Sequence, residues 1–218
     1  MGPGVDKLFL EVLGIPVVAH TWRRFDRCSH VGEIVLVVRA GMESAFHDLA
    51  GSIVRPTKPW RLVSGGAERQ DSVWNGVQAV DSASDGVAIQ DGARPCTHPE
   101  VIRLCLEAAL RGGASVAGSR VTDTIKESDG GSCIARHLDR SRLWAVQTPQ
   151  CFRLSVIREA LAEVRRRGVA VTDDTAACEL IGQRVELVEC PWPNPKVTTP
   201  SDVPWVELLL RGSGESMA

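Results

Sequence analysis

The chain has 218 residues, a formal net charge of -2, 44% hydrophobic and 24% charged residues, and no tyrosine. That length and apolar fraction suit a single α/β domain over residues 1–218 and exclude a disordered tail or a small disulfide-stapled scaffold. The near-neutral charge lacks the basic excess of a general nucleic-acid binder, and the longest wholly apolar runs, such as Ile34 to Val38, are far too short to cross a bilayer. Neither nucleic acid nor a membrane is therefore expected as a partner.

In chain order, short valine-rich runs alternate with helical patterns. The periodicity predicts helices over 16–27, 42–50, 68–82, 99–111, 155–167, 174–181 and 200–211, and buried strands over 33–38, 61–63, 87–90, 114–117 and 185–188. Pro99 and Pro200 fall where a first helical turn accepts proline. Strand, helix, strand in this rhythm means an open, mostly parallel Rossmann-like sheet. The rhythm breaks over 119–142, where two alternating stretches flank Asp129-Gly130-Gly131 and predict a projecting two-stranded arm. A lone ribbon is barely stable in water, so the arm is expected to pack on a second copy of the chain. The tail over 212–218 is small and polar and is expected to fray.

Seven cysteines form no CxxC pair and five histidines are scattered, a pattern of reduced core thiols rather than a disulfide framework or zinc site. No basic region followed by an apolar stretch and a cleavage site opens the sequence, so a cytoplasmic location is expected.

Four clusters fall at strand ends, the edge where open α/β sheets bind ligands. The first is the run from Ser64-Gly65-Gly66 to Ser72-Val73, whose glycines let backbone approach a phosphate or base and whose Ser72 lies in the next helical turn. Alone, that Gly-Gly pair reads as an ordinary turn. The second is Gln90-Asp91-Gly92-Ala93-Arg94-Pro95. Asp91 suits a hard cation such as magnesium, or equally caps the next turn, and Arg94 can fix its geometry or take a phosphate oxygen. The third joins Val121 to Lys126 with Asp139-Arg140 and Gln147-Thr148-Pro149-Gln150 beside the arm, where a solvated charged ribbon is the plain reading. The fourth pairs Thr172-Asp173-Asp174, a helix-capping sequence, with Asn194-Pro195-Lys196 ahead of the last helix. Only four of the 25 basic residues are lysines, so Lys196 in a loop stands out as a compact point charge.

Together and in this order, SGGAERQDSVWNGV, QDGARP, VTDTIKES, LWAVQTPQCF, TDDTAACEL and NPKVTTPSDV closely resemble the 2-C-methyl-D-erythritol 4-phosphate cytidylyltransferases of the non-mevalonate isoprenoid pathway, over nearly the whole chain. The resemblance implies a nucleotidyltransferase domain with an interlocking dimer arm, using CTP as substrate and a divalent cation, Mg2+ or another. Carried over residue by residue, Lys7 matches the lysine that steadies charge on the α-phosphate. Asp91 matches the magnesium ligand, and Gly66, Ser72 and Gly92 match positions around the cytidine. Arg140 and Lys196 match residues that hold the methylerythritol phosphate, with Thr124, Thr148 and Thr172 nearby, and the arm would present Arg140 to the neighbouring subunit. A cytidylyltransferase acting on another polyol phosphate, such as ribitol 5-phosphate, and an inactive nucleotide-binding dimer are the competing readings.

The family opens with a strand and a glycine-rich loop, roughly AAGxGxRMG, of which Met1-Gly2 resembles the last two letters. About twenty residues are therefore expected ahead of Met1 in the natural protein, as a strand plus loop requires. If the chain is complete as written, an open slot in its sheet, weak stability and little transferase activity are expected. Asp6 in place of a proline and Gln90-Asp91-Gly92 in place of His-Asp-Ala are smaller departures that remove no needed charge.

Overall fold

The computed structural model describes residues 6–212, so the expectation for the tail beyond Gly212 lies outside the described residues. A 3-10 turn over Lys7–Phe9 leads to a small hairpin, β1 (Glu11–Val12) and β2 (Ile15–Pro16), then α1 (Val17–Asp26), β3 (Ile34–Val38), α2 (Glu43–Leu49), β4 (Trp60–Ser64), α3 (Arg69–Ala79) and β5 (Gly86–Ile89). There follow α4 (Pro99–Gly112), β6 (Ala114–Arg120), the arm strands β7 (Lys126–Ser128) and β8 (Ile134–His137), and β9 (Trp144–Arg153). The chain continues through α5 (Leu154–Arg167), α6 (Asp174–Glu179), β10 (Glu186–Glu189) and α7 (Val203–Gly212).

Local chemistry sets these boundaries. In α4, the His98 side chain accepts the Glu100 N–H, Pro99 occupies the first turn, and Val101, Ile102, Cys105, Leu106, Ala108 and Ala109 form one buried stripe. Its chain then leaves through Gly113 at φ +98°, a conformation that a side chain would strain. Leu154, Ile157, Ala160, Leu161 and Val164 give α5 a similar stripe. Along β9, Cys151 packs with α1 and α4 while Phe152 packs with α5 and α6, so successive side chains serve cores on opposite faces of the sheet. A third, smaller core joins Val12, Val197, Val206 and Leu210 under α7.

The sheet order is β10-β6-β9-β5, with β3 and β4 forming a separate parallel pair. The predicted strands and helices are present with shifted ends, but β9 was not among them. It runs antiparallel to both β5 and β6 inside an otherwise parallel array. The polar run Gln147-Thr148-Pro149 hides it in the sequence, because those residues leave the ladder: Gln150 pairs with Val116 and Val146 with Gly118, with a register shift between. Such a bulge re-aims side chains. The helix expected over 200–211 starts three residues later, since Asp202 first closes a 3-10 turn by accepting the N–H groups of Thr198 and Thr199.

Between β3 and β5 lies a cavity of about 720 Å³, bordered by Val35, Val37, Val87 and Ile89 and roofed by α1 and α3. Among the described residues, neither strand pairs with another on that side. Asp6 reaches Arg39 just beyond β3 (3.6 Å) and Leu8 packs beside Gly92 just beyond β5, so the turn over Lys7–Phe9 spans the mouth of that cavity. The arm is a short antiparallel ribbon whose residues are exposed, including Ile134 at 59%.

Candidate active site

Gln90 and Asp91 emerge from the end of β5, held by β9: Ile89 is paired with Gln150, and the Asp91 N–H donates to Thr148 Oγ1 (3.1 Å). The Asp91 side chain does not cap a turn. Its Oδ2 accepts the Lys196 ammonium at 2.9 Å and Arg94 Nε at 3.3 Å. Burial pushes this carboxyl up, but Lys196, with Arg94 and Arg69, more than offsets it and holds the group below its ordinary value. Asp91 is therefore ionised throughout the neutral range.

Arg94 is fixed from behind, with Nη1 donating to the Asn194 carbonyl (2.6 Å). Asn194 organises the loop that carries Lys196. Its amide donates to Gln147 Oε1 and to the Thr148 carbonyl, and its Oδ1 accepts from Thr97, all between 3.0 and 3.1 Å. Val197 N–H then closes onto the Ala93 carbonyl (2.8 Å), which brings loop 194–199 alongside Asp91. The sequence places Asn194 in the fourth cluster without a role, and the one signal for it was its place before Pro195-Lys196.

The glycine loop follows β4. Gly65 N–H donates to the Val38 carbonyl (2.8 Å) and Gly66 N–H to Ser72 Oγ (3.0 Å), while Glu68 and Asp71 form a reciprocal cap for α3. A Cβ on Gly66 would lie 2.2 Å from that of Asp71, so no other residue fits this turn. Gly92 is confined by Leu8 and Val18, and its carbonyl accepts from Thr21 (2.9 Å).

The structure thus gathers Asp91, Arg94, Thr148 and Lys196 into one cluster, with Gly92 and Ser72 bordering the same cavity and Lys7 in the turn across its mouth. Gly66 sits one turn back and Thr172 is exposed just ahead of α6. Thr124 and Arg140 stand apart on the arm, where Arg140 Nη1 donates to the Thr122 carbonyl (2.6 Å). Arg69, Gln150, Asp173 and Asp174 are a second polar group that the sequence reading did not single out as site residues. Arg69 grips the fully buried Asp174 with both terminal nitrogens, at 3.0 and 2.6 Å.

Among the described residues no group of three or more histidine, cysteine, aspartate or glutamate side chains is arranged to hold a metal ion. A resident metal cage is not what this site offers. One ionised carboxylate at a strand end does fit magnesium, which keeps waters and takes its remaining ligands from substrate phosphates. No helix of the described residues is long and apolar enough to cross a membrane.

The IspD family model, 2-C-methyl-D-erythritol 4-phosphate cytidylyltransferase, matches residues 1–212. The chain is 41% identical over 210 residues to the protein of that name from Geobacillus kaustophilus, covering 96% of this chain and 91% of the relative. The fold is similar to that of 4-diphosphocytidyl-2C-methyl-D-erythritol synthase from Anaerococcus prevotii, at TM-score 0.87 and 26% identity over 96% of this chain and 92% of the other. It is also similar to the crystal structure of 2-C-methyl-D-erythritol 4-phosphate cytidylyltransferase from Thermus thermophilus, at TM-score 0.78 and 31% identity over 94% of each.

Proposed function

Since the chain belongs to the 2-C-methyl-D-erythritol 4-phosphate cytidylyltransferase family, we infer that it transfers CMP from CTP to 2-C-methyl-D-erythritol 4-phosphate. The products are 4-diphosphocytidyl-2-C-methyl-D-erythritol and pyrophosphate. The observation that carries the reading is the cationic cradle on Asp91, where an ammonium and a guanidinium meet one carboxylate at the ligand-binding edge of the sheet. The competing substrate, ribitol 5-phosphate, and an inactive binding role are not favoured, because the matched relatives carry the methylerythritol name.

The chemistry asks little of a protein acid or base. The acceptor's phosphate monoester is already deprotonated at neutral pH, and one of its oxygens bonds to the α-phosphorus of CTP as the bond to the bridging oxygen of the β-phosphate breaks. Pyrophosphate leaves with the electron pair. The obstacle is repulsion between anions, so rate comes from alignment and from positive charge placed where negative charge builds. In this reading Lys7 meets the α-phosphate, and Gly66, Ser72 and Gly92 pack around the cytidine. Lys196 gives one donor to Asp91 and, at 39% side-chain exposure, keeps others for the acceptor phosphate. Arg94 braces Asp91, and Thr148 and Thr172 are assigned to the acceptor together with Thr124, which stands apart on the arm. Asp91 would hold a divalent cation, which when bound neutralises phosphate charge.

The arm supports a homodimer in which Arg140 serves the neighbouring subunit's acceptor site. A short, exposed ribbon bearing Ile134 gains its stability by packing on a copy. A cytoplasmic location is supported by seven thiols, six of them buried. The test is pyrophosphate release from CTP by the full chain with each polyol phosphate and Mg2+. Methylerythritol phosphate should be strongly preferred; equal rates with ribitol 5-phosphate would defeat the substrate assignment.

A further inference from the structure

The Arg69–Asp174 pair has no evident structural necessity. Asp174 opens α6, yet Asp173 already caps that helix by accepting the Ala176 N–H (2.9 Å). A buried ion pair contributes little net stability, because the desolvation of two charges offsets their attraction, and apolar replacement of such pairs is often neutral. Here the cost falls on Asp174, whose side chain has no exposure and whose carboxyl is pushed up by burial although Arg69 opposes the shift.

What the pair does is tie the start of α3 to the start of α6, beside the bonds Gln70 makes with Val169 and Val171. Arg69 is the first residue of α3, directly behind the glycine loop, and reaches Asp174 across 105 residues of sequence with a two-pronged fork. The Asp174 N–H donates to Gln150 Oε1 (3.1 Å), and Gln150 Nε2 donates to Asp173 Oδ2 (3.1 Å). Gln150 is itself buried, lies opposite Ile89 in β5, and follows the bulge that presents Thr148 to the Asp91 N–H. The fork is 42% exposed on the Arg69 side and borders the cavity that Ser72 and Asp91 also line. One chain of bonds therefore runs from the glycine loop through α6 and β9 to the strand end carrying Asp91.

We propose that Arg69, Asp174 and Gln150 form a positioning network that fixes the spacing between the glycine loop and the Asp91 strand end during cytidylyl transfer. The proposal rests on the cytidylyltransferase reading above. Arg69 is a positioning residue in it, acting through the segments it ties together.

The test uses the full chain, measuring kcat and KM for both substrates by pyrophosphate release alongside thermal melting. The double variant Arg69→Met/Asp174→Leu replaces the pair by apolar groups of similar volume, and Arg69→Lys keeps the charge but removes the fork. Both should melt close to the parent, while kcat falls about a hundredfold, the scale of an ångström-level misplacement, with KM for each substrate within about threefold. Turnover within twofold of the parent in either folded variant would overturn the proposal. Failure of both variants to fold would also overturn it, making the pair a structural bond. If the parent itself released no pyrophosphate, the cytidylyl-transfer reading would fall first, an outcome distinct from an active parent with equally active variants.

Discussion

At the scale of single residues, the site depends on positions with no room to vary. Gly66→Ala would drive a Cβ to 2.2 Å from that of Asp71, so the turn before α3 must open. The expected loss is about 1–3 kcal/mol of stability, read by melting, together with weaker CTP binding by calorimetry; an unchanged melt and affinity would remove Gly66 from the site. Asn194→Ala would orphan several polar groups around Thr97, Gln147 and Thr148. A cost of about 1–3 kcal/mol per unsatisfied buried group follows, and turnover should fall because the loop bearing Lys196 loses its anchor. These two residues differ in legibility. Gly66 and Asp91 are named as site residues through the family resemblance, since alone the Gly-Gly pair reads as an ordinary turn and the carboxylate equally as a cap. The partners of Asn194 lie 46, 47 and 97 residues away, so nothing local announces its role. Asp174 looked like helix-capping sequence for the same reason: its neighbour Asp173 does cap, and the distant Arg69 was invisible.

At the scale of elements, two devices set the site apart from its scaffold. The 3-10 turn over Pro200–Asp202 locks loop 194–199 through Asp202, whose carboxyl the N–H groups of Thr199 and Thr198 hold at about 2, against an ordinary 3.8. A depressed carboxyl stabilises the folded state fully above its ordinary value and loses that contribution as pH falls toward 2. Melting followed from pH 5 to 2 should show this acid slope in the parent and a shallower one in Asp202→Asn; parallel slopes would contradict the assignment. The arm over 119–142 is the second device. If Arg140 serves the opposite subunit, mixing Arg140→Ala with Lys7→Ala chains should restore one intact site per mixed dimer. No recovery of turnover, with mixed dimers shown to form, would place Arg140 outside the site. The arm was legible from Asp129-Gly130-Gly131 between alternating stretches, whereas β9 was not, because its bulged Gln147-Thr148-Pro149 breaks the strand pattern where the fold aims Thr148 at Asp91.

At the scale of the whole molecule, alternating strands and helices made the class of fold readable, and the open slot in the sheet was expected from the family resemblance. Among the described residues, β3 and β5 face each other across the central cavity without pairing with a further strand there. The central claim is that Asp91, with Lys196 and Arg94 on it, is the charge centre of cytidylyl transfer to methylerythritol phosphate. Its most direct test is pyrophosphate release by the natural full-length protein and by its Asp91→Ala variant with CTP, methylerythritol phosphate and Mg2+. The account predicts release that requires both substrates and falls at least about a hundredfold in the variant, as loss of a transition-state electrostatic contact does. Release by Asp91→Ala at the parent's rate, or none from the parent with both substrates present, would contradict it.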